Sequence, residues 1–374
     1  MNERKPIRLL FLHARVGEGH TQACINLARC AEQKGGISDI HIYDCFNIAH
    51  PMASKITRML YIWTIRYLPA MWVFLYRRRS PLMRFIHFVA RVLMRWALYR
   101  NLSRIIRNIE PDAIVCTHFF PLPPLYNLKK RHLFKIYTVV TDGDLHPLWT
   151  YEGVDTYFIA HQNAKGTYNE KTLRANIITA GIPIGAEFKR KPVDRVREKL
   201  GLSNRFTVLI TGGGEGMGPI ENIARHIDKS LSDINIMILC GRNERLRERL
   251  SNTSYKNETR IFGFIDNIID LYDASDCVVG KPGGITTAEV FARGKPFVAH
   301  IAYGGQEEGN IRRYKSNKWF YIAEDIKEIP KILEEILLVG EDKKREGEII
   351  SSSDRGVSEK IIEYILTDLK NNVK

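Results

Sequence analysis

Apolar residues in this chain fall into short unbroken runs, separated by longer stretches in which they recur every three or four positions. Short runs bounded by turn residues predict buried strands, and the 3.6-residue recurrence predicts helices packed on them. In the first half the strands expected are Arg8–His13, Asp39–Tyr43, Ala113–Thr117, Ile136–Val140, Thr156–Ala160 and Ile177–Thr179. A polar, charged stretch, Lys189–Asn204, then precedes a second series: Thr207–Thr211, Ile234–Cys240, Arg260–Gly263, Cys277–Gly280, Pro296–His300 and Trp319–Ile322. Strand and helix in alternation imply α/β architecture with parallel sheets. The expected fold is two Rossmann-like domains facing a central cleft, residues 1–188 and 189–356. A last helix over 357–374, apolar at Ile361, Ile362, Ile365, Leu366 and Leu369, is expected to pack back on one of them.

The net charge of +14 changes this picture only once it is located. From Cys45 to Ile109 there is no Asp or Glu, while Lys55, Arg58, Arg66, Arg77, Arg78, Arg79, Arg84, Arg91, Arg95, Arg100, Arg104 and Arg107 account for most of the imbalance. Trp63, Tyr67, Phe85, Phe88 and Trp96 are interleaved with them. A basic, aromatic, acid-free segment (54–107) predicts an element lying in an anionic membrane interface. Nucleic acid is the competing partner and is set aside, because no nucleic-acid fold signature accompanies the charge; a solvated basic face remains the ordinary alternative. Arg84, Arg91 and Arg95 share one helical face and Arg100, Arg104 and Arg107 nearly the opposite one, which predicts a break or a change of environment between them. The longest apolar run, Tyr67–Tyr76, is well short of the roughly 20 residues a spanning helix needs, and the start carries no signal-peptide pattern. The expectation is a cytoplasmic protein, peripheral on the inner face of the membrane, with Cys24, Cys30, Cys45, Cys116, Cys240 and Cys277 as buried free thiols.

Candidate chemistry sits in the loops. Gly17-Glu18-Gly19-His20 follows the first strand and opens a helix, so His20 is either a general base or a capping histidine. Thr141-Asp142-Gly143-Asp144-Leu145-His146-Pro147-Leu148-Trp149 follows another strand, where Asp142 or His146 could assist catalysis or bind an acceptor, or Asp142 could form an Asx turn. In the second half, Thr211-Gly212-Gly213-Gly214-Glu215-Gly216-Met217-Gly218 reads as a loop open to a phosphate or as a hinge. Lys281-Pro282-Gly283-Gly284-Ile285-Thr286-Thr287-Ala288-Glu289 spans a strand end, a glycine turn and a helix start, the arrangement that aims backbone N–H groups at a phosphate. Phe264 offers a ring for a flat base, and Gln306, Glu307 and Asn310 offer polar groups for sugar hydroxyls or merely a helix start.

Taken together, Thr141-Asp142 through His146 and Trp149, Gly181-Ile182-Pro183-Ile184, Cys240-Gly241-Arg242-Asn243, Gly263-Phe264 with Asp266-Asn267, Lys281–Glu289 and Gln306-Glu307 with Asn310 resemble the glycolipid-forming glycosyltransferases. These include processive diacylglycerol glucosyltransferases and monogalactosyldiacylglycerol synthases, and more distantly the lipid-II-forming GlcNAc transferase. The resemblance implies a GT-B fold and inverting hexosyl transfer from a UDP-sugar to diacylglycerol or a related lipid, with no metal or other cofactor. By position it implies that Phe264 holds the uracil and Glu289 the ribose. Gly283, Gly284 and Ile285 would bind the diphosphate with help from Gly214, and Arg242 and Asn243 would also line the donor site. Gln306, Glu307 and Asn310 would contact the sugar. His20 would be the base, with Asp142 as contender, and His146, Trp149, Trp63, Arg77, Arg78, Arg79 and Arg84 would serve the acceptor and the membrane. A UDP-sugar epimerase of the same fold and a non-catalytic nucleotide- or nucleic-acid-binding protein are the alternatives.

Overall fold

The computed structural model describes residues 6–15, 17–49, 51–52, 59, 81–145, 148–162, 164, 174–185, 192–265, 268–300, 306–338 and 356–372. Trp63, Arg77, Arg78, Arg79, His146, Asp266 and Asn267 lie outside that set, as do the side chains of Arg84 and Gln306. The chain divides into two compact units: Met1–Ala186 with Tyr303–Gly309 and Gly356–Lys374, and Glu187–Ala302 with Asn310–Arg355.

The first unit is built on a six-stranded sheet in the order β2-β1-β3-β4-β5-β6. The strands are β1 (Ile7–His13), β2 (Ile37–Asp44), β3 (Ala113–Cys116), β4 (Lys135–Val139), β5 (Thr156–Ile159) and β6 (Asn176–Thr179), every pairing parallel. Helix α1 (Glu18–Glu32) follows β1, α2 (Cys45–Ile48) follows β2, and α3 (Pro81–Ile109) leads into β3. Helix α4 (Leu122–Leu128) separates β3 from β4. Because β2 and β3 flank β1 on opposite sides, chain order reverses between β1 and β3. In open α/β sheets, ligands bind outside the strands' carboxyl ends at such a reversal.

The second unit repeats the plan in the order β12-β11-β10-β7-β8-β9, again parallel throughout. Its strands are β7 (Thr207–Thr211), β8 (Asn235–Leu239), β9 (Glu258–Phe262), β10 (Cys277–Gly280), β11 (Phe297–His300) and β12 (Phe320–Ala323). Its helices are α5 (Val193–Lys199), α6 (Ile220–Ser230), α7 (Glu244–Ser251), α8 (Ile269–Ala274), α9 (Gly284–Ala292), α10 (Gln306–Tyr314, which belongs to this unit from Asn310 onward) and α11 (329–338). Here the reversal falls between β7 and β10, with Gly280 opposite Thr211.

Helix α12 (Val357–Asn372) completes the first unit. Ile361, Ile362, Ile365, Leu366 and Leu369 are buried with Leu9, Phe11, Leu27, Val115 and Phe158. Lys135 and the Tyr137 hydroxyl both donate to Asp368 Oδ2, each at 2.6 Å. Ser358 caps the contact by donating to the Ile184 carbonyl at 3.1 Å.

Helix α3 runs unbroken through the place where a break was one expectation; what changes there is the environment. From Leu98 onward an inner stripe, Leu98, Leu102, Ile106 and Ile109, is buried in the core. Before it, Phe88, Val89, Val92, Leu93 and Trp96 are exposed, Trp96 at 68%. At 100° per residue these five share one outward side, which Arg100, Arg104 and Arg107 continue in the second half. Arg91 departs from its expected place beside Arg95: it turns inward, donating to the Thr150 carbonyl at 3.3 Å with its guanidinium 4.4 Å from the centre of the Tyr151 ring. No described helix is long and apolar enough to cross a membrane. All six cysteines are buried and unpaired, and burial pushes their thiols up, Cys30 and Cys240 to about 11.

Candidate active site

At the reversal of the first sheet, α1 begins at Glu18 after an extended Gly17, which places His20 in the first helical turn beside the end of β3. His20 Nδ1 lies 3.0 Å from the Thr117 carbonyl and 2.7 Å from Thr141 Oγ1. A carbonyl only accepts, so Nδ1 carries the proton and Nε2 keeps its lone pair. Thr117 Oγ1 in turn donates to the His20 carbonyl at 2.8 Å, strapping the helix start to β3. Asp142 is buried after β4 and accepts from the Trp149 indole N–H at 2.9 Å. Trp149, fully buried, has its ring centre 6.2 Å from that of His20. The two candidate bases therefore both neighbour one tryptophan.

Sequence reasoning missed Thr117 and His118, which the parallel pairing of β1 with β3 brings to His20. It also missed His13, whose Nδ1 lies 3.2 Å from Thr21 Oγ1 and whose pKa burial lowers despite Asp44. A histidine after an unremarkable apolar strand carries no local signal.

In the second unit the loop after β7 and the turn after β10 lie side by side at the reversal. Gly283 is the N-cap of α9, and the first intrahelical bond runs from Thr287 N to the Gly283 carbonyl at 2.9 Å. The N–H groups of Gly284, Ile285 and Thr286 precede it in the first turn, the positions suited to an anion. Lys281, the first residue of that motif, adds a cation beside the glycine-rich loop: its Cε is 3.6 Å from where a Cβ on Gly213 would stand. Asn310 donates to the Pro282 carbonyl at 2.9 Å and so holds the turn, while its own Oδ1 is buried without a partner among the described residues. Glu307 is buried on the same helix.

Glu289 lies further along α9. Tyr272 donates to its Oε2 at 3.2 Å, and burial pushes its pKa up to about 7 against the pull of Tyr272 and Arg293. Phe264 does not present a bare ring, because the Arg242 guanidinium lies 3.7 Å from its centre and Glu215 pairs with Arg242 at 3.8 Å. Arg242 and Phe264 thus form a cation–π stack.

Two features of these loops are structural. Asn243 caps α7, its Oδ1 accepting from Leu246 N at 3.1 Å, and its Nδ2 donates to the Gly216 carbonyl at 3.2 Å. The glycine-rich loop is closely tied. It is tied internally by Gly216 N to Gly213 O at 3.0 Å, and to the next loop by Arg242 N to Gly214 O at 2.9 Å. At Gly216, with φ 59°, a Cβ would sit 1.9 Å from the Cys240 carbonyl oxygen. Part of the glycine signal is therefore loop-on-loop packing rather than ligand access. Gly216→Ala is expected to cost on the order of 3 kcal/mol, read as a lowered denaturant midpoint together with lost UDP binding.

Comparison with known proteins agrees with this geometry. Residues 20–184 match the monogalactosyldiacylglycerol (MGDG) synthase family model, and residues 194–352 the glycosyl transferases group 1 model. The processive diacylglycerol beta-glucosyltransferase of Bacillus cereus (strain AH187) is 29% identical over 340 residues, 86% of this chain and 83% of that protein. Among solved structures, Acinetobacter baumannii MurG has a TM-score of 0.58 at 13% identity, covering 97% of this chain and 100% of its own. Anabaena HepE in complex with UDP-glucose has a TM-score of 0.61 at 15% identity, with coverage of 97% and 100%. With two parallel six-stranded α/β units, the chain has the GT-B fold; its first half matches the MGDG synthase model, its second half the glycosyl transferases group 1 model, and it is similar to diacylglycerol glucosyltransferases.

Proposed function

We propose that this protein transfers a hexose from a UDP-sugar to a hydroxyl of diacylglycerol or a related lipid, inverting the anomeric centre without a metal. The observation that carries the reading is His20, whose Nδ1–H is fixed by two acceptors so that Nε2 is free to take a proton from an attacking hydroxyl. A protein that only bound nucleotide would have no use for an oriented base in its other unit. On the donor side, the first turn of α9 and Lys281 stabilise the departing diphosphate, the Arg242–Phe264 stack takes the uracil, and Glu289 accepts from the ribose. The relatives named for diacylglycerol support the acceptor class. The test is incubation with UDP-glucose, UDP-galactose or UDP-GlcNAc and diacylglycerol vesicles, with the lipids read by mass spectrometry. A glycosylated lipid of inverted linkage is expected; epimerised UDP-sugar with no lipid product would overturn the reading.

The outward stripe of α3 supports contact with an anionic membrane surface, on the inner face of the cell membrane. Phe88 to Trp96 would enter the interface while Arg100, Arg104 and Arg107 meet lipid phosphates. Each such cation contributes about 1 kcal/mol, so reversing all three to Glu should lower binding to anionic vesicles by roughly 100-fold or more and leave UDP affinity unchanged. Flotation that does not respond would place the membrane contact elsewhere.

A further inference from the structure

We propose that His118 is a positioning residue for His20, holding its imidazole in the tautomer and orientation that leave Nε2 as the base; this rests on the reading of His20 given above. His118 directly follows Thr117, so a single stretch of backbone delivers both the carbonyl that takes the His20 Nδ1 proton and the ring that packs against His20. The two imidazoles meet edge to face, 4.6 Å between centres at 84°. His118 is itself fixed: it is 3% exposed, with Phe119 at 4.2 Å and Trp149 at 6.1 Å between ring centres.

Its protonation state is fixed as well. The Phe120 N–H donates to His118 Nδ1 at 3.1 Å, so the single proton of the neutral ring is on Nε2. A second proton would set Nδ1–H against Phe120 N–H, and burial drives the pKa down in the same sense. His118 therefore stays uncharged beside a group that must become a cation when it accepts a proton, and it does not compete for that proton. A charged neighbour at this distance would disfavour the transfer; a small side chain would let the His20 ring swing away from Thr117 and Thr141.

The experiment uses the full chain with His118→Ala and His118→Phe. It reads the His20 tautomer by nitrogen NMR of the side chain, UDP affinity by calorimetry, and kcat and KM with vesicles. In His118→Ala, His20 is expected to lose its Nδ1–H signature and kcat to fall about ten-fold or more, with UDP affinity unchanged. His118→Phe restores a ring edge and should return both the signature and most of kcat. An unaltered His20 tautomer in His118→Ala overturns the proposal, as does a UDP-binding His118→Phe that behaves like His118→Ala. Retained turnover in His20→Ala would remove the base assignment alone, because the tautomer comparison does not depend on activity.

Discussion

His20→Ala is expected to lower turnover by roughly 10²–10⁴-fold while UDP binds as it does to the wild-type protein. The magnitude is that of general-base catalysis, and the separation of effects follows from position. His20 contacts Thr117, Thr141, His118 and Trp149, all in the first unit, whereas α9, Glu289 and the Arg242–Phe264 stack belong to the second. The imidazole is held by contacts that do not involve the donor turn, so removing it leaves the diphosphate site intact. Asp142 is the competing base, yet its Oδ2 is engaged by the Trp149 indole, which suits a carboxylate that fixes a ring. Single-turnover kinetics with preformed UDP-sugar complex separate the two: retained chemistry in His20→Ala would move the base to Asp142.

Glu289→Gln has the opposite signature, a gain in stability with a loss of binding. The Glu289 carboxyl has a folded-state pKa of about 7, above its ordinary 4.5. The folded protein thus holds this proton more tightly than the unfolded chain, and the stability that goes with it is complete below 4.5 and lost as pH rises through about 7. At pH 8 the charge on this half-buried carboxyl carries a net cost of roughly 3 kcal/mol despite Tyr272 and Arg293, which the amide removes while still accepting from the Tyr272 hydroxyl. Glu289→Gln should therefore raise the melting temperature at pH 8 and leave it almost unchanged at pH 4. Ribose recognition runs the other way, since two hydroxyls need an ionised acceptor. Wild-type affinity for uridine should fall as pH drops below about 7, and the Gln variant should bind weakly at every pH. Uridine, lacking phosphate, keeps the ligand's own titration out of the measurement. Equal melting temperatures at pH 8 would refute the buried-charge account.

The strands and both site loops were legible in the sequence because each β-run is short, apolar and bounded by turn residues. The loop after β1, the turn after β10 and Glu289 announced themselves for the same reason, with glycine, a helix start and a carboxylate close together in the chain. What was not legible depends on contacts between distant segments. His20 and Thr117 are neighbours only because β1 pairs with β3, and nothing around Ala113–Cys116 marks the residues after it. Arg242 and Phe264 end successive βα connections, and their stacking follows from β8 lying beside β9. That Asn243 caps α7 and ties the Gly216 loop was not legible either, because a capping Asn and a binding Asn read alike until their partners are seen. Along α3, charge periodicity predicted a break or a change of environment, and the second is what the structure has, because the core begins at Leu98.

The clamp of Lys135 and Tyr137 on Asp368 bears on how the protein is made. Leu9 and Phe11 leave the ribosome well before Ile361, Ile362 and Ile365, which cover them together with α1. When the strands of the second sheet have all been made, that face of β1 is covered only in part, by Leu27 and its neighbours on α1. The first unit's sheet is made before the second's but gains its full cover after it, and in between β1 stays open to chaperones and proteases.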